Sequence, residues 1–138
     1  MYNKIFIASD HAGYDMKTKL NNHFTSLIDL GTNSTESVDY PDFANKLTSE
    51  VLENKGSLGI LICGTGVGMS IAANRKKGIR AGLVSSAEIA RLIRQHNDAN
   101  VLVIPGKFME EKEATNCVHS FLDTTFEAGR HKQRIDKI

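Results

Sequence analysis

The run Gly59-Ile60-Leu61-Ile62-Cys63-Gly64-Thr65-Gly66-Val67-Gly68-Met69-Ser70-Ile71-Ala72-Ala73-Asn74 leaves this chain few folds to choose from. A short apolar segment bounded by glycine reads as a strand buried on both faces, the habit of parallel sheets. Three glycines at alternate positions come next, and Ser70 to Ala73 then read as a helix. Strand, glycine turn and helix N-terminus together make an anion cradle, because the first N–H groups of a helix have no partner inside it. Cys63 is expected at the strand's end, facing the same hollow.

The rest of the chain repeats the alternation of strand and helix. Lys4–Ser9 reads as a buried strand that ends at Asp10-His11-Ala12-Gly13. Met16, Leu20 and Phe24 recur every fourth residue and predict a helix over about 14–25. Leu27–Leu30 is a short strand closed by Gly31, and a polar stretch from Thr32 leads to a helix capped near Pro41 or Asp42. Phe43, Leu47 and Val51 share one face of it. After the glycine loop and its helix, Ile79–Val84 is a fourth strand, and Ser85 or Ser86 can cap the next helix. That helix runs out at Arg94-Gln95-His96-Asn97-Asp98. Val101–Ile104 is a fifth strand, broken by Pro105-Gly106, and a last long helix carries Ala114, Cys117, Val118, Phe121 and Leu122. Strict alternation of this kind implies one domain over 1–138, a three-layer α/β/α sandwich around a Rossmann-like five-stranded parallel sheet. Ligands of such sheets sit beyond the carboxyl ends of the strands. Asp10, His11 and Cys63 to Gly68 fall there, whereas His96 comes just before a strand. Reaching the same edge takes its helix end or a second subunit.

Composition removes several classes. Seventeen Lys and Arg against sixteen Asp and Glu give no global basic field for nucleic acid. No apolar run approaches the roughly 20 residues of a membrane span, and the run after Met1–Lys4 is too short for a signal peptide. Two cysteines without such a signal point to reduced thiols and the cytoplasm. Neither CxxC nor a Cys/His pair at ligand spacing occurs, so no structural metal is expected.

Each chemical residue has a plainer reading beside the functional one. The loop is not a dinucleotide fingerprint, since no acidic residue ends the next strand, and no Gly-Lys-Ser/Thr makes it a Walker loop. A tight turn uses glycines for geometry alone. Cys63 could be a core thiol, but a helix N-terminus beside it stabilises the thiolate. Cys117, inside an apolar stripe, reads as core. Single loop histidines are usually ordinary, yet His11 and His96 in two separate loops raise the case for acid/base work. His23 and His119 read as surface or packing residues, and His131 stays open. Arg130 and Arg134 share a helix face. They are either a solvated basic tail or a guanidinium clamp for phosphate.

Ser9-Asp10-His11-Ala12-Gly13, Asp39-Tyr40-Pro41, Cys63-Gly64-Thr65-Gly66-Val67-Gly68, Arg94-Gln95-His96-Asn97-Asp98 and the segment Gly129-Arg130-His131 to Arg134 together resemble the type B ribose-5-phosphate isomerases. The likeness covers nearly the whole chain. It implies interconversion of ribose 5-phosphate and ribulose 5-phosphate with no metal or organic cofactor. It implies Cys63 as the base, Thr65 assisting at the reacting oxygens, and Gly64, Gly66, Val67 and Gly68 holding the enediolate through backbone N–H groups. His96 matches the acid that opens the sugar ring, Asp10 and Asn97 bind hydroxyls, and Tyr40 lines the pocket. His11, Arg130 and Arg134 match phosphate positions, and Lys107 stands where several relatives carry arginine. One branch of the family has a glutamate base where this chain has Met69, which cannot take a proton. The resemblance further implies a homodimer, or a tetramer, whose sites are shared between subunits, with the tail over about 127–138 on or near the site. Within the family the alternative is a hexose 6-phosphate isomerase acting on allose or galactose phosphate. From another class, a non-catalytic sugar-phosphate-binding domain would not need Cys63 and His96 together.

Overall fold

Five strands of consecutive apolar residues stack side by side in the order β2-β1-β3-β5-β4, all parallel. They are β1 (Ile5–Ser9), β2 (Leu27–Asp29), β3 (Leu58–Cys63), β4 (Ala81–Leu83) and β5 (Val101–Pro105). The computed structural model describes residues 2–138. β3 lies at the centre and is buried at all six positions, as its unbroken apolar run requires. Between the strands run α1 (Tyr14–His23), α2 (Tyr40–Glu53), α3 (Val67–Ala73) and α4 (Ala87–Asn97), and α5 (Glu111–Asp123) and α6 (Arg130–Ile135) close the chain.

Side chains alternate across the sheet and divide the core in two. Ile7, Ile60, Ile62, Leu102 and Ile104 meet Met16 and Leu20 of α1, Ala90 of α4, and Cys117, Val118 and Phe121 of α5. On the other face Phe6, Ala8, Leu61, Cys63 and Val103 meet Leu47 and Val51 of α2 and Met69 and Ala73 of α3. Three layers result, as the alternation predicts.

The boundaries moved where capping outweighed periodicity. α1 stops at His23, with Phe24 as an extended cap residue whose N–H still reaches the Leu20 carbonyl. The cap of α2 is Asp39, two or three positions before the expected Pro41 or Asp42, so the helix begins at Tyr40 and Pro41 falls in its first turn, where proline is suited. Ser86, not Ser85, caps α4 by accepting the Ile89 N–H at 3.3 Å. β4 shrinks to Ala81–Leu83, and β5 extends to Pro105, opposite Cys63. Among the described residues no helix is long and apolar enough to cross a membrane.

Candidate functional site

The order of the strands decides where a site can form. The chain passes from β1 outward to β2, then returns across to β3, so the loops after β1 and β3 diverge at one point of the carboxyl edge. The loop after β1 carries Asp10 and His11. Asp10 is buried and its carboxylate accepts the Gly13 N–H at 2.9 Å, which ties the entry of α1. His11 Nδ1 accepts the Val38 N–H at 3.1 Å, so the ring proton sits on Nε2.

The loop after β3 is assembled from backbone. The carbonyls of Cys63 and Gly64 accept the N–H groups of Gly106 and Lys107 at 2.8 and 3.0 Å. Carbonyls are therefore engaged toward β5, while the N–H groups of Gly64, Thr65, Gly66 and Gly68 donate to no protein acceptor among the described residues. Val67 differs, for its N–H donates to Thr65 Oγ1 at 3.2 Å. Gly66 caps α3 with φ 78°, a left-handed conformation that side chains rarely adopt. At Gly68 a Cβ would come within 2.6 Å of the Tyr40 ring, so only glycine lets that ring lie against the first turn of α3. Cys63 is 5% exposed and packs in the core cluster that holds Leu61 and Met69, and Lys107 flanks Gly64. Met69 points into the core and is fully buried. Asp10, His11, Tyr40, Cys63, Gly64 to Gly68 and Lys107 thus gather at one edge, around the loops after β1 and β3.

His96, Asn97, Arg130 and Arg134 do not join them within one chain. α4 runs back against the strands and ends where β5 begins. The Asn100 carbonyl there accepts the N–H of Gly59 at the start of β3. Four residue steps along the strand separate Gly59 from Cys63, about 13 Å at the usual rise. α5 makes the same return, so the tail comes to rest on α4 beside His96. The tail over about 127–138 therefore lies beside His96, at the opposite edge from Cys63 of the same chain. Arg130 and Arg134 are exposed, and neither makes an ion pair or side-chain hydrogen bond among the described residues.

His131, left open by the sequence, lies buried in α6 with its ring stacked on His96, centroids 4.3 Å apart and planes 14° from parallel. Burial holds its pKa below the usual 6.5, and the neighbouring His96, Arg130 and Arg134 push the same way. A buried neutral imidazole is the result, with Nε2 unpartnered. His96, Glu127 and His131 bring three potential metal ligands within 4.8 Å of one another. Near-parallel rings do not aim their in-plane lone pairs at one point, so this arrangement is a stack rather than a ready cation site. Elsewhere, His23 and His119 pack edge-on around Phe24, and Cys117 is wholly buried with its thiol pushed up to about 12 by desolvation and then by Glu113.

A family model described as Ribose/Galactose Isomerase matches residues 5–138. A crystal structure of a ribose 5-phosphate isomerase from Thermotoga maritima superposes with a TM-score of 0.95 at 51% identity, covering 97% of this chain and 95% of that one. Ribose-5-phosphate isomerase B from Mycoplasma genitalium, solved with bound ribulose-5-phosphate, gives a TM-score of 0.94 at 45% identity over 99% and 95% of the two chains. The ribose-5-phosphate isomerase B of Escherichia coli is 42% identical over 139 residues, 98% of this chain and 93% of its own length.

Proposed function

The chain belongs to the ribose/galactose isomerase family, and from that premise we infer that it interconverts ribose 5-phosphate and ribulose 5-phosphate. The observation that carries this reading is a nearly buried cysteine followed at once by four backbone donors with no protein acceptor among the described residues, in a chain 45% identical to a protein that holds ribulose-5-phosphate.

Isomerisation requires a proton to leave C2 of the open aldose and arrive at C1, while the oxygens between them carry the negative charge. The Cys63 thiolate takes the C2 proton and returns it to C1, while the C2 hydroxyl proton passes to the C1 oxygen. Free N–H groups of the loop, with Thr65, hold the enediolate; losing one such donor typically costs about 10²–10³ in rate.

Ribose 5-phosphate is a closed ring in its main form, so an acid must protonate the ring oxygen as the C1–O bond breaks. His96 fills that role, with Asn97 and Asp10 on hydroxyls and His11 Nε2–H, Lys107, Arg130 and Arg134 on the phosphate. Tyr40 walls the pocket. Phosphate is the remote handle whose binding energy orients the reacting carbons. Because Cys63 and His96 occupy opposite edges of one sheet, a site holding both is shared between two copies of the chain. A homodimer is the smallest such assembly. A cytoplasmic location fits its two free thiols. The deciding assay compares kcat/KM on ribose 5-phosphate with that on allose 6-phosphate and galactose 6-phosphate. Preference for the pentose is expected, and a hexose preferred over it would overturn the substrate assignment.

A further inference from the structure

Directly after His96, the backbone turns sharply at Asp98, which is left-handed at φ 44° and ψ 43° without being glycine. Such a conformation persists only when its surroundings hold it. Here two guanidinium groups do so from opposite sides. Arg80 donates Nε to the Asn97 carbonyl at 2.9 Å and Nη2 to the Asp98 carbonyl at 2.8 Å, and it also pairs with the Asp98 carboxylate at 3.2 Å. Arg94, buried, pairs with the other carboxylate oxygen at 2.9 Å and donates to the Ala99 carbonyl. Three successive carbonyls after His96 are therefore covered by arginine. Arg94 reaches further, to the Tyr2 hydroxyl at 3.2 Å and the Thr124 carbonyl at 3.4 Å, where the chain leaves α5 for the arginines of α6.

We propose that Arg80 and Arg94, clasping Asp98 between them, are positioning residues that aim His96 and Asn97 at the sugar ring bound against another copy's Cys63. The inference rests on the reading of His96 as the ring-opening acid. Neither arginine touches substrate in this scheme. A planar fork holds two carbonyls in one fixed geometry, whereas an ammonium is a point charge on a flexible stem. Misplacement by about 1 Å far from the chemistry can cost on the order of 100-fold.

The test uses the full-length protein. Arg80→Lys keeps charge and loses the fork; Asp98→Asn keeps a residue tolerant of the left-handed turn and loses the bridging carboxylate. Two rates are compared with wild type: turnover of ribose 5-phosphate, and deuterium uptake from solvent at C1 of ribulose 5-phosphate. The ketose cannot close a five-membered ring through its phosphorylated C5 oxygen, so its C1 exchange needs Cys63 but no ring-opening acid. For both variants turnover is expected to fall about tenfold or more, and the ratio of exchange to turnover to rise by a similar factor. A ratio equal to wild type overturns the proposal, whether turnover falls or holds. His96→Gln serves as the reference: if its ratio also stays at the wild-type value, the assignment of His96 itself is wrong, and the clasp is not what failed. Should Arg80→Lys fold poorly, Asp98→Asn alone decides.

Discussion

Two halves of the candidate site are built from opposite materials. Among the described residues, the Cys63 half is backbone: four amide donors without partners, one sulfur nearly out of solvent, and a glycine, Gly68, whose missing side chain lets Tyr40 close in. Among the same residues, the His96 half is side chain: an imidazole stacked on His131, two exposed arginines without carboxylate partners, and a turn clasped by two more. In the proposed mechanism one half offers donors to a developing oxyanion, the other offers charge to a phosphate, and neither is complete alone. The contrast teaches that motifs can be legible in a sequence while one copy of the chain keeps them apart.

The hardest blow to this contrast is Cys63→Ala. With a positioned base worth roughly 10²–10⁴, kcat should fall by about 10³-fold or more while calorimetry still registers sugar-phosphate binding. Cys117→Ala is its control, costing about 1 kcal/mol of stability for one small buried group and leaving kcat alone. Equal activities for Cys63→Ala and wild type would end the role of Cys63.

Next in size is a mixing experiment. Cys63→Ala and His96→Gln should each be nearly inactive by themselves. After subunit exchange, half of the dimers carry one unaltered site of two, so about a quarter of wild-type activity should return. Activity that stays absent after proven exchange would place both residues in one subunit's site and break the division into halves.

Arg134→Ala probes the charged half. Losing a hydrogen-bonded charge pair costs about 1.5–3 kcal/mol, so KM should rise about 10–100-fold with kcat less affected. An unchanged KM would return the tail to ordinary solvated surface.

The smallest effect is on pH. His131 is held neutral by burial, so its folded pKa lies below 6.5. The unfolded chain therefore binds this proton first as pH drops, and the stability His131 contributes is present above pH 6.5 and lost below it. Melting temperature should accordingly decline as pH falls from 7.5 to 5. In His131→Phe, which keeps an aromatic stack without the titration, the decline should be shallower. Parallel curves for the two proteins would mean that the buried ring adds nothing to acid sensitivity.

Some of this was legible because it is local. Cys63 to Gly68 are contiguous, and a strand running into alternating glycines and then small residues has few conformations that satisfy its N–H groups. Cys117 sat in an apolar stripe and is core, as expected. The cap of α2 was misplaced by two or three residues, since Tyr40-Pro41-Asp42 offers competing first-turn signals. His131 gave no signal, because a histidine between basic residues looks like solvated tail until α6 folds onto α4. Arg80 was equally silent: its partners Asn97 and Asp98 lie seventeen and eighteen positions away.

The amino-acid order alone determined the alternation of strands and helices, the backbone cradle beneath Cys63 and the family likeness, because each depends on neighbours in the chain. Tertiary structure alone decided that the arginine tail rests on α4 and that His131 stacks on the His96 ring. A helix that returns between parallel strands must deliver its end to the edge where the next strand starts, and stacks and clasps between distant segments exist only after that return is made.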